Sequence, residues 1–177
     1  MANDGTHGAE RFVTDGTAAG TRLVIDLNPG SGYTQVGGAA ATSRGLVFVA
    51  SGGYWGTDGT SSGTVMLPLL GGGLWPHHGE IFAMGSDHRG LELWATDGTV
   101  QGTRLVKDIN ATASGAGSSD GSDSRVRVGR WLYFVADDGI HGRELWRSNG
   151  TATGTAMIGD IHPTGSASPR GLTRIGS

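Results

Sequence analysis

The chain contains no cysteine, which excludes disulfide staples, thiolate zinc sites and thiol catalysis. It also lacks a strong charge of one sign: 13 Lys and Arg stand against 16 Asp and Glu, intermixed, for a formal net charge of −3. That balance supplies no basic stripe for a phosphate backbone and no polycationic face, so neither nucleic acid nor membrane insertion is expected. No apolar run approaches the roughly 20 residues that a membrane helix needs. The first residues, Met1-Ala2-Asn3-Asp4-Gly5, lack the basic and apolar regions of a signal peptide, so an export signal is expected only outside this sequence. Helical patterning is missing as well, since no stretch keeps a 3.6-residue apolar stripe long enough. Hydrophobic residues make up 36% and charged residues 16%, both low, and 34 glycines take up the difference. So much glycine implies many tight turns and therefore short strands.

What the chain does have is a repeat. The tetrad Thr14-Asp15-Gly16-Thr17 recurs as Thr57-Asp58-Gly59-Thr60, Thr96-Asp97-Gly98-Thr99 and Ser148-Asn149-Gly150-Thr151, at intervals of 43, 39 and 52 residues. Three positions before each Asp or Asn sits an aromatic residue: Phe12, Trp55, Trp94 and Trp146. A Gly-Thr pair follows (Gly20-Thr21, Gly63-Thr64, Gly102-Thr103, Gly154-Thr155), then an apolar pair (Leu23-Val24, Met66-Leu67, Leu105-Val106, Met157-Ile158). Asp26-Leu27, Asp108-Ile109 and Asp160-Ile161 close three of the four copies, whereas the second has Leu69-Leu70 there. Upstream, segments ending in Phe48, Phe82 and Phe134 read as strands; Phe82 and Phe134 stand fifteen residues before their anchors and Phe48 only ten.

Alternation in segments such as Glu144-Leu145-Trp146-Arg147 is that of a half-buried strand. The Asp-Gly or Asn-Gly pair is hairpin chemistry: the short polar side chain bonds the backbone ahead and glycine takes the positive φ. A further strand is expected at Arg125-Val126-Arg127-Val128 and at Gly171-Leu172-Thr173-Arg174-Ile175. Four short strands in about 45 residues is the size of a propeller blade. The expected fold is all-β, a propeller-like array of four repeats (1–43, 44–78, 79–129 and 130–177). Its antiparallel blades are mostly four-stranded, and one lacks a strand.

Glu92-Leu93-Trp94-Ala95-Thr96-Asp97-Gly98-Thr99, continued by Gly102-Thr103-Arg104-Leu105-Val106-Lys107-Asp108-Ile109, resembles a bacterial repeat family written Glu-Leu-Trp-x-x-Asp-Gly-Thr (ELWxxDGT). Gly142-Arg143-Glu144-Leu145-Trp146 in the fourth copy is similar to it too. The resemblance implies a propeller-like array in a large exported or cell-surface protein, and brings no general activity with it. Glu10-Arg11-Phe12 and Gly53-Tyr54-Trp55 depart from the motif, so a site needing equivalent residues in every copy is not expected.

Several residues are candidates for a site. Asp4-Gly5-Thr6-His7-Gly8, Asp87-His88-Arg89-Gly90 and Asp138-Gly139-Ile140-His141-Gly142 each precede a glutamate, Glu10, Glu92 or Glu144. His7, His88 and His141 with those glutamates would make a repeated sugar or metal pocket on one rim; the competing reading is a hairpin turn whose Asp bonds backbone. Asp26, Asp108 and Asp160 are oxygen donors suited to calcium, or strand-end residues holding a neighbouring blade. Asp15, Asp58 and Asp97 are oxygen donors of the same kind but read more simply as turn residues. Phe12, Trp55, Trp94 and Trp146 read as core, while Tyr33 and Trp75, in glycine-rich segments, read as exposed aromatic contacts. The Gly/Ser-rich segment from Ser114 to Ser124, with Asp120-Gly121-Ser122-Asp123, lacks the glutamate that closes an EF-hand loop.

No nucleophile elbow, phosphate loop or zinc-peptidase motif is present. The function expected is therefore a non-catalytic binding or scaffolding module with a glycan or protein ligand. A propeller-type lyase or glycoside hydrolase with a central-channel site is the first alternative, and a structural spacer the second. By register the first copy lacks its Phe-ending strand, for fifteen strands instead of sixteen. Either neighbouring repeats of a longer chain or a second copy, completing a ring, is expected to cover the open edge; a closed four-bladed monomer is the third arrangement.

Overall fold

The computed structural model describes residues 1–30, 34–69, 71–87, 90–111 and 125–175. All its regular structure is β, in four antiparallel meanders. Sheet one holds β1 (Ala2–Asn3), β2 (Ala9–Val13) and β3 (Arg22–Ile25). Sheet two holds β4 (Val36–Ala41), β5 (Leu46–Ala50), β6 (Gly53–Thr57) and β7 (Val65–Met66). Sheet three holds β8 (Trp75–His77), β9 (Glu80–Asp87), β10 (Gly90–Thr96) and β11 (Arg104–Lys107). Sheet four holds β12 (Arg125–Val128), β13 (Trp131–Asp137), β14 (Arg143–Ser148) and β15 (Ala156–Gly159). The array is propeller-like, and no sheet closes on itself.

Fifteen strands are present among the described residues, and register identifies the strand that sheet one does without. Ala2 pairs Glu10 and Asn3 pairs Ala9, as Ala136 pairs Glu144 and Asp137 pairs Arg143 in sheet four. The stub β1 is thus the end of the Phe-ending strand. Among the described residues, what sheet one lacks entirely is the strand before it, the counterpart of β4, β8 and β12. The glycine-rich segment Gly71–His78 supplies that first strand to sheet three as β8. Gly171–Ile175 lies outside any sheet.

The period-two burial of β14 places Glu144, Trp146 and Ser148 on one buried face. Sheet three has neighbours on both sides, and there Glu92, Leu93, Ala95 and Thr96 are all 0% exposed. The core accordingly lies between successive sheets. Val47, Tyr54, Leu67, Leu69 and Ile81 pack sheet two on sheet three, and Phe82, Met84, Leu93, Leu132, Phe134 and Trp146 pack sheet three on sheet four. No single sheet could shield its apolar face alone, the condition that makes such repeats cooperative.

Candidate functional site

Each repeat folds its tetrad the same way. Asp97 Oδ1 accepts from the Thr99 N–H and hydroxyl, at 2.9 and 2.7 Å, and Thr99 Oγ1 accepts the Gly102 N–H at 2.9 Å. Thr103 Oγ1 donates to the Thr99 carbonyl at 2.6 Å and lies 2.7 Å from Thr96 Oγ1. Asp15, Asp58 and Asn149 head the same network in the other copies. The network accounts for the fixed letters of the tetrad and of the Gly-Thr pair. Gly16, Gly59, Gly98 and Gly150 have φ near +90° (+92, +91, +94 and +88), where side chains are disfavoured. A Cβ on Gly20, Gly63, Gly102 or Gly154 would collide with the Asp or Asn side chain.

These turns abut. Between the turns of sheets two and three lies a groove of about 530 Å³, lined by Arg44, Asp58, Asp97 and Gln101 with Val65 and Val100 as apolar patches. Arg44, in the β4–β5 turn, reaches the next sheet and pairs its Nε with Asp97 Oδ2 at 2.7 Å. Thr60 donors hold Asp58 below its usual carboxylate range. Asp97 is also lowered: desolvation opposes this, but the Thr99 donors and Arg44 outweigh it. Both carboxylates are thus ionised near neutral pH, and Arg44 neutralises one of them. A second, smaller groove of about 240 Å³ lies at the junction of sheets one and two, against Arg11, Phe12 and Leu46. Gln101 has no repeated counterpart and Arg44 is matched only by Arg130, so the motif itself offered no signal for the groove; Asp58 and Asp97 were visible chiefly as turn residues.

The three glutamates lie elsewhere. Glu10, Glu92 and Glu144 are each 0% exposed, and each carboxylate binds the connection that leaves its sheet. Glu144 accepts from the Ile161 and Ala167 N–H groups at 3.1 Å each, Glu10 from Leu27 N–H at 3.5 Å and the Thr34 hydroxyl, and Glu92 from Ile109 and Asn110 N–H. They hold the chain path and do not face solvent. In the second copy Gly53 stands at that position, and the neighbouring Tyr54 donates its hydroxyl to the Gly71 and Gly72 carbonyls instead.

His7 and His141 stay on the surface side of their hairpins. Each ring Nδ1 lies 2.7 Å from an Asp Oδ2, that of Asp4 or Asp138, whose Oδ1 accepts two backbone N–H groups. The Asp side-chain hydrogen bond raises both histidine pKa values. The His7 N–H and ring lower Asp4, and His141 lowers Asp138 against an opposing desolvation. His88 and Tyr33 lie outside the described residues, as does the Ser114–Ser124 segment.

Trp75 is 4% exposed in β8, paired with Phe82, with the Arg125 guanidinium 5.1 Å from its ring; it is core. Asp26, Asp108 and Asp160 occupy three unlike settings. Asp26 accepts the Asn28 N–H at 3.2 Å, Asp108 has one carboxylate oxygen buried without a hydrogen bond, and Asp160 is exposed. Among the described residues no group of three or more His, Asp or Glu side chains is arranged to hold a metal ion. Compared with known proteins, the chain matches no family model, no curated protein and no solved structure.

Proposed function

We propose that this chain is a non-catalytic binding module whose ligand is a neutral, polyhydroxylated molecule of the glycan class, seated in the groove between the turns of sheets two and three. The observation that carries the reading is the lining of that groove. It has the volume of a small-molecule site, and its polar groups suit hydroxyl recognition. Asp58 and Asp97 are acceptors, while Arg44 and Gln101 supply planar donor pairs that fit neighbouring hydroxyls. With Arg44 paired to Asp97, Asp58 leaves the lining a negative charge, which disfavours an anionic ligand.

The lowered values of Asp58 and Asp97 weigh against a hydrolase, since general-acid cleavage of a glycosidic bond needs a carboxyl group raised enough to stay protonated. An exported or cell-surface setting, implied by the ELWxxDGT resemblance, belongs to the same proposal. A glycan array followed by calorimetric titration tests it. Binding by the native chain that Gln101→Ala and Arg44→Ala each weaken at least about tenfold, with unchanged circular dichroism, supports the groove. Absence of any glycan ligand, or affinity indifferent to both substitutions, overturns it.

A further inference from the structure

Equivalent positions in successive sheets report what covers each sheet. The second residue of the apolar pair is 4% exposed as Val24, 2% as Leu67 and 5% as Val106, each with a following sheet, but 50% exposed as Ile158. Val47 and Ile81 are 0% exposed, whereas their counterpart Tyr133 is partly exposed; Leu93 is 0% exposed, whereas Leu145 is partly exposed. Ile161, at 62%, corresponds to Ile109 at 6%. Sheet four therefore presents a bare copy of the face that sheets one to three bury.

Sheet one presents the complementary side. The turn glycine of each later sheet leans on the sheet before it: a Cβ on Gly59 would meet Val13, on Gly98 Thr42 and Val47, and on Gly150 Phe82. A Cβ on Gly16 would meet nothing within 4 Å. Charge follows the same order. Arg44 stands four residues before Phe48 and pairs with Asp97 of the following sheet. Arg130 stands four residues before Phe134 and is exposed, with no sheet after its own among the described residues; Asp15, the counterpart of Asp97, is exposed in sheet one. Finally, Leu172-Thr173-Arg174-Ile175-Gly176 repeats the register of Arg125-Val126-Arg127-Val128-Gly129, the first strand of sheet four. Leu172 and Thr173 lie beside Val126, Tyr133 and Leu145, on the bare face, where the first strand of a further sheet belongs. A strand of that kind is what sheet one lacks.

We propose that a second copy of this chain docks its sheet one on sheet four, head to tail, repeating the junction used three times inside the chain. Asp15 of the second copy meets Arg130, its Gly16 turn seats over Tyr133, and Leu172–Ile175 adds to the open edge of its β1 as the fourth strand. Ile158, Leu145 and Ile161 are covered in the process. The two surfaces differ, so the contact is heterologous, closing into a ring or extending according to the rotation between copies. The inference stands on the fold and is independent of the ligand.

Light scattering on the 177-residue chain across a concentration series tests it. Masses at multiples of 18.1 kDa are expected. Ile158→Glu and Arg130→Glu, both at exposed positions, should each raise the association midpoint at least about tenfold with unchanged circular dichroism, and removal of residues 172–177 should do the same. A single 18.1 kDa species at every concentration, whether bare-faced or closed on itself, overturns the proposal. So does assembly that none of the three changes disturbs.

Discussion

Glu144 and Ile161 are tied across 17 residues of chain: the carboxylate, wholly buried, accepts the Ile161 N–H at 3.1 Å and so fixes where the strand path leaves sheet four. Glu10 with Leu27, and Glu92 with Ile109, repeat the tie at the same separation. Removing Glu92 takes this acceptor from the N–H groups of the buried Ile109 and Asn110, and removing Glu144 takes two hydrogen bonds from the partly buried connection that leaves sheet four. Glu144→Ala and Glu92→Ala should each lower stability by about 2 kcal/mol, or about 4–8 °C in Tm for a chain of this length. Thermal unfolding reads the loss, and faster hydrogen exchange at Ile161 in Glu144→Ala localises it. An unchanged Tm in both variants contradicts the structural role.

The turn network gives a second expectation. Gly102→Ala drives a methyl group into the Asp97 carboxylate, and Gly98→Ala adds a side chain at φ +94°. Each should destabilise by about 1–3 kcal/mol in urea titration, with Gly102→Ala also loosening the Arg44 pairing. Thr17→Ser, which keeps the hydroxyl bonded to Asp15 and Gly20, should cost less than Thr17→Val, and the reverse order would count against the network.

The histidine hairpins titrate in a defined direction. Because Asp138 raises His141 above its ordinary 6.5, folding favours the protonated ring. That contribution is whole below pH 6.5 and fades as pH climbs through the raised value. Asp138, held below its ordinary 3.8, behaves oppositely: its contribution is present above that value and lost as acid reaches the lowered one. Proton NMR should place the His141 midpoint above 6.5, and Asp138→Asn should return it toward that figure. A native midpoint at or below 6.5 would refute the pairing.

Trp75→Ala should cost about 3–5 kcal/mol, the range for emptying a large aromatic site in a core. Native tryptophan fluorescence gives the companion reading: the same variant should lose a blue-shifted component. A variant of native stability would return Trp75 to the surface.

The repeat was legible because turn chemistry is local. Asp-Gly-Thr and Gly-Thr make their hydrogen bonds within eight residues, so their letters recur wherever the turn does. The glutamate was harder to place. A glutamate reads as a solvent-facing residue, yet Glu144 stands two positions from Trp146 and shares its face, and that face is buried because Trp146 packs into the core against sheet three. Trp75 was obscured by its setting after Gly71-Gly72-Gly73, which reads as a loop but leads through Leu74 straight into β8. The groove was not legible at all: it depends on Arg44 crossing to Asp97, 53 positions away, and no local pattern records which turn faces which.

The leaning of Gly59, Gly98 and Gly150 on the preceding sheet means that one short peptide both reverses the chain and forms the seam with its neighbour. Units joined by such a seam are interchangeable in principle. Duplication or loss of a whole unit lets the remaining ones meet through parts they already possess, so array length can drift during evolution without any new interface having to be invented.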